Sequence, residues 1–173
     1  MTDPAGPLSL TKQAAKVTLA DSATFRTLVG AANQAEALAH IYTDALPPPA
    51  AGREHTLAEL EAYRPFALLS IDPEGDGASA TADAVGTGRE YSWGGRIRLE
   101  IEQDIADDDA ADPAEIALKC ENTLGAIVAE MLELAGVAPY LSITSVSVGP
   151  VERSTDKVAA TKGSYLVEGR IQA

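Results

Sequence analysis

At 173 residues the chain has the length of a single domain and can bury a larger core than a marginal mini-protein. Its formal net charge of −13 and pI near 4.4 make the average surface repel phosphate, which argues against free nucleic acid as a ligand and against sequence-specific binding of it. A single cysteine, Cys120, excludes an intramolecular disulfide; residues 1–6 have no cationic stretch of a secretory signal, and no apolar run approaches the ~18 residues of a membrane span.

The first segment, residues 8–45, is rich in alanine and reads as helix. Asp21 or Ser22 can cap a helix on which Phe25, Leu28, Val29 and Ala32 recur at three-to-four-residue spacing, and Leu38, Ile41 and Tyr42 extend that stripe. Gly30 weakens its middle by about 1 kcal/mol relative to alanine, which leaves one helix or two. Pro47, Pro48 and Pro49 cannot continue a helix and form a stiff connector, the clearest internal boundary. Residues 1–46 are therefore read as an N-terminal helical region and residues 47–173 as an α+β core, together one compact domain.

Thr56 with Glu59 three residues on is a capping box, opening a short helix that ends near Tyr63 ahead of Pro65. Residues 66–71 read as a short buried strand. Residues 72–88 turn rich in Gly, Ala and Asp and read as a long loop or a frayed hairpin. In residues 96–102, Ile97, Leu99 and Ile101 alternate with Arg96, Arg98, Glu100 and Glu102, which predicts a strand with one face in the core and the other toward water or a partner.

The strongest element is a long helix over residues 112–136. Asp112 stands at the cap, Pro113 at the first helical position, Glu115 in the first turn, and Ile116, Cys120, Leu124, Ile127, Met131 and Leu134 along one face, with Gly136 as its stop. Cys120 is expected to be buried and inert. Residues 141–148 are rich in β-branched side chains, but the apolar positions change parity between Ile143 and Val146, which implies a bulge near Thr144 and Ser145. Residues 164–172 alternate again, with Tyr165, Val167 and Ile171 on one face. The order of elements predicts an α+β fold: a mostly antiparallel sheet packed by one long helix, with an N-terminal helical region.

Candidate chemistry is sparse. Asp72, Glu74, Asp76, Gly77 and Asp83 occupy the first, third, fifth, sixth and twelfth positions of a calcium-loop pattern. Against it, Ser79 stands where an apolar residue is usual, Asp83 is shorter than the expected bidentate glutamate, and a strand precedes the loop, so a solvated loop is the favoured reading. The acids at Asp107, Asp108, Asp109 and Asp112 are accounted for by the positive end of the helix dipole. His40 and His55 have no second ligand at zinc spacing and are expected on the surface. Ser92 lacks a nucleophile-elbow context, Gly86 and Gly88 lack a dinucleotide-site context, and there is no Walker lysine. Neither catalysis nor a cofactor is expected. Trp93 is either a lid over the core or an interface anchor, and Arg96 and Arg98, with Glu100 and Glu102 beyond them, form a sign-separated strip that is either only solvated or pairs with a neighbouring copy. Interface expectations fall on Trp93, Arg96, Arg98, Glu100, Asp76 and Arg153.

Over residues 66–173 the chain resembles the tail-terminator, or tail-completion, proteins of long-tailed bacteriophages. The resemblance rests on the acidic Gly-rich stretch 72–88, the amphipathic strand 96–102, the helix DPAEIALKCENTLGAIVAEMLELAG and the closing strand GSYLVEGRIQA. It implies a small α/β fold that assembles as a ring, typically a hexamer, on the head-proximal end of the tail tube, where it ends tail growth and joins tail to head. The partners it implies are copies of the chain, the tail tube protein and a head-tail connector. The location it implies is the virion tail, reached from the host cytoplasm during assembly. A calcium-binding or other non-enzymatic interaction module using the stretch from Asp72 to Asp83 is the alternative.

Overall fold

The computed structural model describes residues 7–49, 54–71, 79–85, 88–104, 113–135, 142–153 and 160–172. Helix α1, Pro7–Asp21, opens on a proline, whose missing N–H is no loss in a first turn. It buries Ala15, Thr18, Leu19 and Ala20. Ser22 then breaks the helix and starts the next one, α2, Ala23–Val29: its extended backbone leaves its hydroxyl free to accept from Phe25 N at 3.0 Å.

Gly30 ends α2. At φ 69° it adopts the left-handed conformation, while its N–H donates to Thr27 O and that of Ala31 to Arg26 O, the Schellman arrangement that satisfies the last carbonyls. Gly30 is thus a terminator rather than a weak point within a longer helix. Asn33 caps the short α3, Gln34–Leu38, and Glu36 reaches back to Ala32 N at 2.8 Å.

The helical stripe does not continue through Ile41 and Tyr42. They lie in β1, Ile41–Thr43, which pairs in parallel with β2, Phe66–Ile71. Ile41 is buried because it faces the core from the sheet, so its apolar character carried no helical information. Between them, α4, Leu57–Tyr63, is set by the predicted capping box: Glu59 Oε2 accepts from Thr56 N at 2.8 Å and from the Thr56 hydroxyl at 2.9 Å.

Four more strands and the long helix complete the described fold. Strand β3 is Ser79–Val85, β4 is Gly88–Asp104, β5 is Ser142–Arg153, β6 is Ala160–Gln172, and helix α5 is Pro113–Ala135. Among the described residues the sheet has six strands in the order β1-β2-β4-β6-β5, with β3 pairing β4. All its pairings are antiparallel except that of β1 with β2. Strand β4 is the spine: β6 runs along one of its edges from Ser92 to Asp104, while the other is shared end to end, β2 opposite residues 97–102 and β3 opposite residues 88–94.

Of the two readings of residues 72–88, a loop or a frayed hairpin, the described part follows the hairpin, with β3 antiparallel to the start of β4. Residues 79–85 form a strand whose small side chains gave no alternation signal, and long β4 supplies the pairing that holds it. The parity switch in β5 is a real irregularity, since the register with β6 shifts between Ile143 and Ser145 and again between Val148 and Val151. Ile97, Leu99 and Ile101 from β4 join Leu19, Phe25, Ile41, Leu69, Leu124, Ile127 and Met131 in one core cluster, so α1, α2 and α5 all lie over the same face of the sheet.

Candidate functional site

Four of the six interface residues read from the sequence, Trp93, Arg96, Arg98 and Glu100, lie on β4. By backbone register Trp93 lies between Ala80 of β3 and Ile171 of β6, and Arg96 lies opposite Glu168. Arg98 lies between Ser70 and Leu166, and Glu100 between Leu68 and Ser164. Arg153 is at the far end of β5, opposite Thr161, so it does not join the strip on β4. Asp76 lies outside the described residues, as do Asp72 and Glu74. Asp83 sits within β3 opposite Glu90. No group of three or more His, Cys, Asp or Glu side chains comes together at metal-binding distance among the described residues.

On the face of β4 away from the core, Arg98 Nη2 lies 2.8 Å from Glu100 Oε1, with side chains 39% and 26% exposed. These residues are two apart on one strand, so they point to the same side and the pair is built by the pleat itself. An ion pair this open contributes at most about 1 kcal/mol to stability, which leaves both groups able to exchange partners at little cost.

The strip does not stay open along its length. Glu102 pairs with Arg64, which enters from the segment between α4 and β2, and both side chains are largely buried. Sequence reading assigned Glu102 to a solvent or partner face. The pairing was hidden because Arg64 is distant in sequence and its side is fixed only when β2 docks beside β4. Beside it stands an aromatic group: Tyr42 makes edge contacts with Tyr63 and Phe66, and Tyr63 with His55. Burial, and then the neighbouring Tyr63, push the Tyr42 hydroxyl above its ordinary pKa. His40 Nδ1 lies 3.0 Å from Pro65 O, tying the end of α3 to the start of β2.

A second polar cluster was also missed. Glu130 on α5 accepts from the Ser22 hydroxyl at 2.6 Å, from Thr24 N at 3.1 Å and from the Thr24 hydroxyl at 2.5 Å. A carboxylate from a distant helix thus completes the N-terminal cap of α2. Burial alone raises the pKa of Glu130, but hydrogen bonds from Ser22, Thr24 and the backbone of Thr24 and Ala23 outweigh it, and the net shift is downward. Cys120 is buried, and the Gln103 amide donates to its Sγ at 3.0 Å.

No helix among the described residues is long and apolar enough to cross a membrane. No family model matches the chain. No curated protein matches it either. Among solved structures, it is similar to a chain of the "Virion of native gene transfer agent (GTA) particle", with 14% identity and a TM-score of 0.39 over 94% of each chain.

Proposed function

We propose that the chain is a structural virion protein that forms a ring, of six copies by its family resemblance, on the head-proximal end of a phage tail tube. There it ends tail polymerisation and joins tail to head, through surfaces alone and without covalent chemistry. Its partners in this reading are its own copies, the tail tube protein and a head-tail connector, in the virion tail after assembly in the host cytoplasm.

The observation that carries the reading is the two-sided use of the sheet. One face of β4 is closed under α1, α2 and α5, whereas Arg98 and Glu100 on the other remain part-exposed and bonded only weakly to each other. A sheet face with a part-exposed, weakly paired Arg98 and Glu100 suits a repeated contact in which these two groups exchange partners with those of the next copy. The net charge of −13 is consistent with an assembly through which DNA passes without adhering.

Light scattering and negative-stain microscopy, on the protein alone and then with tail tubes, test the proposal. The expected result is a ring seated on one end of each tube. A protein that stays monomeric and leaves tubes uncapped overturns it.

A further inference from the structure

Phe66 is buried on the side of the sheet away from the main core. It lies directly opposite Glu102, as Leu68 does Glu100 and Ser70 does Arg98, and directly opposed residues of an antiparallel pair share a face. That face is the outer one, yet Phe66 is only 4% exposed, and it stands apart from the core cluster under α1, α2 and α5. It belongs to a second, smaller cluster. Tyr42 meets the Phe66 ring edge-on with centroids 5.9 Å apart, Tyr63 meets Tyr42 at 5.8 Å, and His55 meets Tyr63 at 5.8 Å. Beside them, Arg64 Nε donates to Glu102 Oε1 at 2.8 Å, and the two side chains are 4% and 12% exposed.

Three of these residues, His55, Tyr63 and Arg64, end or flank α4. That helix has seven residues, fewer than the roughly 12–15 an isolated helix needs, and no other helix or strand among the described residues packs along it. Its place is therefore tied to the smaller cluster, while the main core closes on the other face without it. We propose that residues 55–65 are a strap that lifts as one unit while the rest of the fold stays closed, uncovering Phe66 and releasing Glu102. Lifting breaks the contacts of Tyr63 and Arg64 but none within the main cluster, so it is a local opening and not a step of global unfolding. Phe66 and Glu102 share the outer face with Arg98 and Glu100, so the lifted strap lengthens the open strip on β4. The opening is a property of the single chain and does not rest on the ring reading.

Native-state hydrogen exchange on the full chain, across a series of urea concentrations below the unfolding transition, tests the strap. The amides of residues 60–62 are expected to share one opening free energy and one urea dependence, above zero and below that of Leu69 and Leu99. Exchange in α4 that is graded along the helix and indifferent to urea is end fraying, and exchange that merges with Leu69 and Leu99 is global unfolding; either result overturns the proposal. Two substitutions separate the clusters. Tyr63→Ala removes two ring contacts and should speed exchange at residues 60–62 about tenfold. Leu19→Ala loosens the main cluster, which the lifted strap leaves intact, so it should speed exchange at Leu99 by about a hundredfold and leave residues 60–62 unchanged. Amides in α4 that follow Leu99 in Leu19→Ala, or that ignore Tyr63→Ala, overturn the proposal as well.

Discussion

At the scale of single residues, the polar groups that matter most join parts of the chain far apart in sequence. Glu130 is the clearest case, because its carboxylate satisfies the Ser22 and Thr24 hydroxyls and the backbone at the start of α2. Its pKa in the folded chain is below its ordinary value of 4.5, so the unfolded chain takes up the proton first as the pH falls. The contribution of Glu130 to stability is therefore fully present above the ordinary value and is lost as the pH drops through the folded one. Glu130→Gln should lower stability at neutral pH by about 1 kcal/mol, the usual size of a lost cap. The gap between variant and wild type should then narrow below pH ~4.5. Thermal melts of both proteins from pH 7 to 3 check this; a gap that stays constant would mean that the carboxylate form is not what the cap uses. Nothing in the sequence around Glu130 announces this role. It reads as one acid among 26, and only the docking of α2 on α5 gives it donors.

At the scale of elements, legibility followed side-chain size. Helix α5 was readable because its large apolar residues recur at helical spacing, and β4 because Ile97, Leu99 and Ile101 alternate with charges. Strand β3 was not, since alanine and threonine carry little periodic signal and its pairing comes from the unexpected length of β4. Strand β1 was misread because three residues are too few to show a period, and a parallel partner 26 positions away decides their state. Gly30 was weighed by helix propensity, whereas its role depends on the left-handed backbone at φ 69°. Space is not its constraint, because a Cβ there meets nothing within 4 Å. Gly30→Ala should therefore cost about 1 kcal/mol from backbone strain alone, while Gly30→Asn, which tolerates this conformation better, should cost less. Chemical denaturation of the two variants ranks them, and equal losses would point away from the backbone.

At the scale of the whole molecule, the proline-rich connector suggested a boundary, but the hydrophobic core runs across it. Leu19 and Phe25 from the N-terminal helices lie fully buried in the same cluster as Ile97, Leu99, Leu124 and Ile127. Strand β1 adds the edge of the sheet from the same side of the connector. Part of the polar strip on β4 was legible because alternation fixes a strand's faces; what closes one end of it was not, since Arg64 reaches Glu102 only through the pairing of β2 with β4. The shared core has a measurable consequence. Leu19→Ala removes a side chain of zero exposure and should cost about 3 kcal/mol in transfer and cavity terms. If the core is one cooperative unit, that loss should appear throughout it, and amide exchange in β4 at Ile97, Leu99 and Ile101 should accelerate by about a hundredfold, because these amides then open with the global transition. An N-terminal region that folded on its own would lose protection in α1 and α2 alone and leave β4 as slow as in the wild type. Native-state hydrogen exchange resolved to single amides separates these outcomes, and we expect acceleration in β4 because α1 and α5 share their buried contacts with that strand.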